Sequence, residues 1–239
     1  MEFKLENRIY YSASSEEKVE VLFILESPFF DELKSSNPRP CMGHSGLVMS
    51  KALNLGDHEF GKYLVEDTGT KYAVYETFNF ALDTRVCAKL KGSYPPENVY
   101  KFWDTYDLPW CGLKVQDMLT GAKLYKESLD SHKGYDRKKH YESLWDFISC
   151  IDEKVKTNFF NNYQSVLNPV LAKELFPNLK EIVVCGYIAQ SVFLKAFEID
   201  FLPFRKRSNI EGFAGTIVFV EHPGSVRGGN EWSYPDNIK

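Results

Sequence analysis

Two side chains that can accept or donate protons follow apolar segments near opposite ends of the chain. Glu26 comes directly after the segment 21–25 (Val-Leu-Phe-Ile-Leu), and His222 comes shortly after the segment 217–220 (Ile-Val-Phe-Val). Short apolar segments of this kind are typical of buried strands. Ligands of open α/β sheets bind just beyond the carboxyl ends of the strands. If the two strands are neighbours, Glu26 and His222 face each other across one pocket.

Strands and helices alternate along the rest of the chain. We predict strands at 19–26, 71–80, 181–185 and 215–221. We predict helices at 46–55, after Pro95-Pro96 through Trp103, in part of 111–127, and at 141–155, 165–176 and 188–197. This alternation predicts an α/β fold, a three-layer α/β/α sandwich with a central, mostly parallel four-stranded sheet. Because no linker or repeat divides the chain, we expect one domain over 1–239, with an insertion at 84–140.

Composition and charge restrict the compartment and the partners. The chain has 239 residues, a net charge of −4 and five cysteines without a Cys-x-x-Cys pair. Such cysteines indicate a reducing cytoplasm and argue against a structural zinc site. The amino terminus does not have the pattern of a signal peptide, and no apolar run approaches the roughly 18 residues of a membrane span. Nucleic-acid binding would need local basic patches such as 133–140 and 205–207, which are as often solvated loops.

Four short segments occur in an order that is similar to a known family. Leu25-Glu26-Ser27-Pro28 follows the first strand, and the segment 40–46 (Pro-Cys-Met-Gly-His-Ser-Gly) opens a helix. A strand–glycine–helix unit spans 179–193, and His222-Pro223-Gly224-Ser225 follows the last strand. This order resembles the uracil-DNA glycosylase superfamily, and is closest to the branch whose first motif reads Gly-Glu-Ala-Pro.

The chain departs from that branch at several positions. Leu25 stands where the motif has its glycine, Ser27 where it has its alanine, and Phe29 follows the proline. The cysteines lack the spacing that holds the iron–sulfur cluster of the branch, so we expect no cluster, no metal and no other cofactor. These departures bear on which base the protein would excise more than on the type of reaction.

The resemblance implies a monofunctional DNA glycosylase that leaves an abasic site. Loss of a base from deoxyribose passes through an oxocarbenium-like cation and a departing base anion, so both charges need stabilisation. Glu26 would stabilise the cation and orient water, as carboxylates do in glycoside hydrolysis. His222 would donate a hydrogen bond to the base oxygen. Neither motif contains a lysine, so we expect no Schiff-base chemistry.

The same resemblance implies a base pocket and a DNA-binding surface. The partner would be DNA, either a duplex with a flipped base or a single strand, and the protein a monomer. The base pocket would be formed by Ser27, Pro28, Phe29, Phe78 and Asn79. The DNA-binding residues would be Gly43, His44, Ser45 and Gly46 at a helix amino end, with Ser225, Val226 as a wedge and Arg227 as a phosphate contact. Each set also has an ordinary interpretation, as core aromatics, a strand terminus or a tight turn.

The sequence leaves open which base is the target and whether the protein is a glycosylase at all. The region 84–140 could enlarge or cover a pocket for a bulky modified base, as in antiviral defence against modified phage DNA. One alternative is a catalytically inactive glycosylase-like module that binds nucleic acid, a nucleotide or a protein. Another is an α/β hydrolase that acts on free nucleotides.

Overall fold

The structure is a computed structural model, and it describes residues 9–11, 16–26, 39–66, 70–77, 153–200, 202–226 and 231–236. The strands in these ranges are β1 (Ile9–Tyr10), β2 (Val21–Leu25), β3 (Tyr72–Glu76), β4 (Glu181–Cys185) and β5 (Thr216–Val220). The α-helices are α1 (Gly43–Ala52), α2 (Phe60–Glu66), α3 (Glu153–Leu171) and α4 (Tyr187–Ala196). Two short 3-10 helices lie at Glu16–Lys18 and Pro223–Ser225.

The five strands form one mixed sheet with the order β1-β3-β2-β4-β5. The pairs β2–β3, β2–β4 and β4–β5 are parallel, whereas β1 pairs antiparallel with β3 at the edge. The prediction of four mostly parallel strands is therefore correct for the centre of the sheet and one strand short. A two-residue strand contains no hydrophobic period, so the sequence carries no signal for β1.

Helices cover both faces of this sheet, which is consistent with the predicted three-layer α/β arrangement. Side chains of a strand alternate between the two faces. On one face, Leu22 and Ile24 of β2 pack in a cluster with α3 and α4. On the other face, Phe23 and Leu25 pack in a cluster with α1 and α2. Strands that are buried on both faces are typically apolar throughout, which explains the segments at 21–25 and 217–220.

The connections place a topological switch point between β2 and β4. β2 leads through α1 and α2 to β3 on one side, and β4 leads through α4 to β5 on the other side. The two central strands are neighbours, yet the chain leaves their carboxyl ends in opposite directions. Such a point leaves a crevice at the sheet edge, where ligands of doubly wound folds bind.

Several helix boundaries differ from the predicted ones, and α2 was not predicted. α1 begins at Gly43, three residues before the predicted start. α3 runs without a break over 153–171, across the gap between the predicted helices at 141–155 and 165–176, and it contains Pro169. The helices predicted after Pro95-Pro96 and within 111–127 and the insertion at 84–140 lie outside the described residues. None of the described helices is both long and apolar enough to cross a bilayer.

Phe23 is the centre of an aromatic cluster beneath α2. Its ring is fully buried and lies 5.6 Å from the ring of Phe60 and 5.5 Å from that of Tyr234. The rings of Tyr72 and Trp232 lie at 5.9 and 6.0 Å. Phe23 therefore joins β2 to α2, to β3 and to the carboxyl-terminal segment of the chain.

Replacing Phe23 by alanine should lower the free energy of unfolding by about 3–5 kcal/mol, because it removes a buried ring and leaves a cavity among four aromatic neighbours. Urea denaturation followed by circular dichroism measures this change. The matched control is Leu47→Ala on α1, where the side chain is exposed and the change should stay within about 0.5 kcal/mol. Equal effects of the two substitutions would contradict the central role of Phe23.

Candidate functional site

Polar groups line the edge of the sheet at which the parallel strands end. Glu76 is the last residue of β3, Glu26 follows β2, and Gly186 follows β4. Glu221 and His222 follow β5. In spatial order the edge therefore carries Glu76, Glu26, Gly186 and the Glu221-His222 pair.

Glu26 lies at the switch point, in contact with the turn that follows β4. A Cβ atom built on Gly186 would overlap the carboxyl group of Glu26, so only a glycine lets that group lie there. Gly186 also has a φ of +87°, a conformation that L side chains rarely adopt. Both observations explain the glycine between β4 and α4, and the first also concerns the position of the Glu26 carboxylate.

The strands that carry Glu26 and His222 are not neighbours, because β4 lies between them. Two strand spacings separate β2 from β5, which corresponds to about 10 Å. A hydrogen bond still connects the ends of β4 and β5. The Gly186 N–H donates to the carbonyl of Val220 at 2.9 Å, and Val220 lies two residues before His222. Glu26 and His222 thus lie at one edge with the Gly186 turn between them.

The imidazole of His222 is held by the turn that it opens. Its Nδ1 accepts a hydrogen bond from the Gly224 N–H at 3.1 Å. The His222 carbonyl accepts from the Ser225 hydroxyl and N–H, at 2.7 and 2.9 Å. A neutral imidazole that accepts at Nδ1 carries its proton on Nε2. His222 can therefore donate a hydrogen bond from Nε2 while partly exposed.

Glu221 fixes the backbone from which His222 projects. Its carboxylate accepts from Arg205 at 2.9 Å and from the Ser233 hydroxyl at 2.5 Å, and its carbonyl accepts from the Trp232 indole at 3.0 Å. Burial acts to raise the pKa of Glu221, but the hydrogen bonds and the charge of Arg205 outweigh it and hold the pKa below its usual value. Glu221 is thus an ionised structural anchor next to His222.

Glu76 is a buried carboxyl group that sequence reasoning missed. It is 2% exposed, and it pairs in register with Leu25, one residue before Glu26. Its Oε2 atom is buried and has no hydrogen-bond partner among the described residues. Burial, and then the negative charge of Glu26, raise the pKa of Glu76 to about 8. Glu76 is therefore mostly protonated at neutral pH.

Cys185 lies at the same edge as a fully buried thiol. Burial raises the pKa of Cys185 well above its usual value, and the charges of Glu26, Glu221 and Glu76 raise it further. A thiol that stays protonated is a poor nucleophile. The arrangement accordingly favours acid–base chemistry by carboxyl and imidazole groups over covalent chemistry by Cys185.

The amino end of α1 differs from the predicted phosphate site. Gly43 has a φ of +70°, and its N–H donates to the Glu59 carboxylate at 2.6 Å. A carboxylate therefore already interacts with this helix end, where a phosphate was expected to bind. Gly46 is buried against the carbonyl of Cys41, where a Cβ atom would overlap the backbone. Gly46 thus serves close packing between α1 and the segment before it.

His44 and Ser45 connect α1 to the turn that contains His222. The Nε2 atom of His44 donates to the Val226 carbonyl at 3.0 Å. A Cβ atom on Gly224 would lie 2.7 Å from the Ser45 hydroxyl oxygen, so the two segments touch. Val226, the predicted wedge, is partly buried and packs against the apolar cluster beneath α1. In this structure these residues order the turn, and Val226 does not project from it.

The basic patch that begins at Arg205 is largely engaged in ion pairs. Arg205 pairs with Glu221, and Arg207 donates to Glu181 at 2.6 Å. Lys206 between them is exposed. This patch therefore links the segment before β5 to the sheet, and its two arginines have carboxylate partners.

The other predicted site residues lie outside the described residues. These are Ser27, Pro28, Phe29, Phe78, Asn79 and Arg227, and the basic segment 133–140. Within the described ranges, no group of three histidine, cysteine, aspartate or glutamate side chains is placed to hold a metal ion.

Comparisons with models of protein families, with curated proteins and with solved structures found no match to this chain. The chemistry of the site therefore has to be inferred from its own residues. Three carboxylates that sequence reasoning missed contribute to it: Glu59, Glu76 and Glu221. For Glu76 the available signal was an acid within a predicted apolar strand, at 71–80, which is unusual for a buried strand.

Replacing Glu76 by glutamine should change how stability depends on pH. A carboxyl group whose pKa is raised from 4.5 to about 8 binds its proton more tightly in the folded state. The free energy of unfolding of the wild type should therefore fall, relative to Glu76→Gln, as the pH rises from about 4.5 to 8. The slope is at most about 1.4 kcal/mol per pH unit, and the difference should level off above pH 8. Urea denaturation at pH 5, 6.5 and 8 measures it.

The exposed Glu211→Gln is the matched control, because it removes one carboxylate without a burial change. Its stability difference from the wild type should be small at each pH. A pH-independent difference for Glu76→Gln would show that the Glu76 carboxyl is not held in its neutral form.

Proposed function

We propose that this protein is a monofunctional DNA glycosylase, with Glu26 and His222 as its catalytic residues. The observation that carries the proposal is the position of Glu26 at the switch point, at the same sheet edge as a His222 whose Nε2 is a hydrogen-bond donor. A carboxylate and a neutral donor are the two groups that base excision needs, for the sugar cation and for the base anion.

In the proposed reaction the base is first extruded from the helix or taken from a single strand. Glu26 stabilises the oxocarbenium-like sugar and orients the attacking water. His222 donates from Nε2 to the oxygen of the departing base, where negative charge develops. The product is an abasic site and a free base. We propose a modified base as the target, with antiviral defence against modified phage DNA as the biological role.

A catalytically inactive module that binds nucleic acid, a nucleotide or a protein is the second candidate. Specific observations favour it: the amide of Gly43 is bonded to Glu59, and Arg205 and Arg207 are paired with carboxylates. Because these groups already bind carboxylates, they have less capacity to bind the phosphates of DNA than the sequence predicted.

Glycosylase activity of the wild type, Glu26→Gln and His222→Ala distinguishes the two candidates. The substrates are labelled single- and double-stranded oligonucleotides with uracil, hypoxanthine, 5-hydroxymethylcytosine or its glucosylated form, and intact phage genomes. Alkali-labile abasic sites report the reaction. We expect the wild type to excise at least one base and each variant to lose about 100-fold or more of the single-turnover rate, because each removes a group that stabilises developing charge.

Glu211→Gln and His58→Ala are matched controls at exposed positions, and both should keep the wild-type rate. If the wild type binds DNA but forms no abasic site on any substrate, the inactive module replaces the enzyme as the proposed function. If it excises a base at the same rate in both variants, a different set of residues carries the reaction.

A further inference from the structure

The proposed reaction leaves the buried carboxyl group of Glu76 without a role. Glu76 is the last residue of β3, at the sheet edge where Glu26 and His222 lie. It pairs in register with Leu25, the residue before Glu26. Its Oε2 atom is buried, and no described residue forms a hydrogen bond with it. Burial of an unpaired polar atom is unfavourable, so its presence at this edge needs an explanation. A ligand bound at this edge would supply the partner.

Glu76 differs from Glu221 in its protonation state. Burial and the Glu26 charge keep it mostly neutral at pH 7, since both raise its pKa, to about 8. The other titratable groups described at this edge are His222, Cys185, which remains a thiol, and Glu221, which is ionised and paired with Arg205. A neutral carboxyl group offers one donor, its O–H, beside one acceptor. Pairs of carboxyl groups whose pKa values are pushed apart commonly divide the acid and base roles.

We propose that Glu76 is the general acid of the reaction, and that it pairs with an amidine edge of the extruded base, meaning a ring nitrogen acceptor beside an exocyclic amino group. This inference rests on the proposed function and names its substrate class. Glu76 would donate its O–H to the ring nitrogen and accept from the amino group. Cytosine, adenine and derivatives that are modified elsewhere on the ring present such an edge; in adenine, which has no carbonyl oxygen, His222 would donate to a ring nitrogen instead.

In this step the bond between C1′ and the base nitrogen breaks, and its electron pair stays on the base. The proton of Glu76 moves to the ring nitrogen of the amidine edge, so the base leaves as a neutral molecule. The oxygen of water bonds to C1′, and the proton of the water moves to Glu26. Glu26 then releases that proton to solvent, and Glu76 takes one up.

An amidine edge fits Glu76 both before and after the proton moves. Before transfer, the O–H of Glu76 faces the ring nitrogen of the base, and the other oxygen of Glu76 faces the amino group. After transfer, the two carboxylate oxygens of Glu76 face two N–H groups, a bidentate charge-assisted arrangement. A lactam edge, as in uracil or hypoxanthine, can also pair with the neutral acid, but its acceptor is a carbonyl oxygen. A carbonyl oxygen is a weaker base than the ring nitrogen of an amidine edge, so it takes the proton of Glu76 less readily.

Two pairs of substrates that differ at this edge test the proposal: 5-hydroxymethylcytosine with 5-hydroxymethyluracil, and adenine with hypoxanthine, each in one oligonucleotide sequence. We expect the wild type to excise the amidine member of at least one pair faster than its lactam partner. On that substrate Glu76→Gln should lose about 100-fold or more of the single-turnover rate, because glutamine hydrogen-bonds but does not transfer a proton. Its Kd, from fluorescence anisotropy, should change less than threefold, whereas Glu76→Ala should also weaken binding.

The pH profile separates an acid from a residue that only shapes the site. Above pH 8 the wild-type rate should fall about tenfold per pH unit as Glu76 loses its proton, and this limb should be absent in Glu76→Gln. Wild-type excision with an unchanged rate in Glu76→Gln, or a preference for the lactam member of both pairs, overturns the acid role alone. Absence of excision by the wild type on all substrates overturns the proposed function and the acid role together.

Discussion

The contact between the Glu26 carboxyl group and Gly186 is the constraint on which the architecture of this edge depends. β2 and β4 are neighbours whose chains leave in opposite directions, so the crevice between their ends is the natural ligand site of the fold. A side chain at Gly186 would occupy the volume in which the Glu26 carboxyl group lies. The positive φ of the same glycine turns the chain from β4 into α4. One residue thereby sets both the path of the helix and the position of the carboxylate.

Three carboxyl groups at this edge have different charge states because their surroundings differ. Glu221 accepts hydrogen bonds from Arg205 and Ser233 and is ionised. Glu76 is buried without such donors, beside the charge of Glu26, and is mostly neutral. The same side-chain type thus provides an anchor and a neutral hydrogen-bond donor within one row of strand ends. Sequence alone does not distinguish these states, because burial and cross-strand neighbours determine them.

The central strands were predictable from sequence, whereas the contacts that tune the site were not. The segments 21–25, 182–185 and 217–220 are continuously apolar, as is typical of strands that are buried on both faces. The two-residue β1 and the uninterrupted course of α3 through Pro169 have no comparable local signal. Glu26 and Gly186 are neighbours because β2 and β4 are adjacent in the sheet. That strand order does not follow from the positions of the segments along the chain. The bond from Gly43 to Glu59 depends on tertiary packing in the same way.

The charge distribution at this edge bears on how a polyanion could approach a chain of net charge −4. Three ionised carboxylates in a row would repel a phosphodiester backbone. The neutral state of Glu76 and the pairing of Glu221 with Arg205 remove much of that repulsion. In the proposed reaction the carboxylate of Glu26 then lies where the sugar acquires positive charge, between a neutral acid on β3 and the donor His222 after β5. Glu76, whose neutral state lowers the repulsion, would therefore also be one of the groups that polarise the bond to the base.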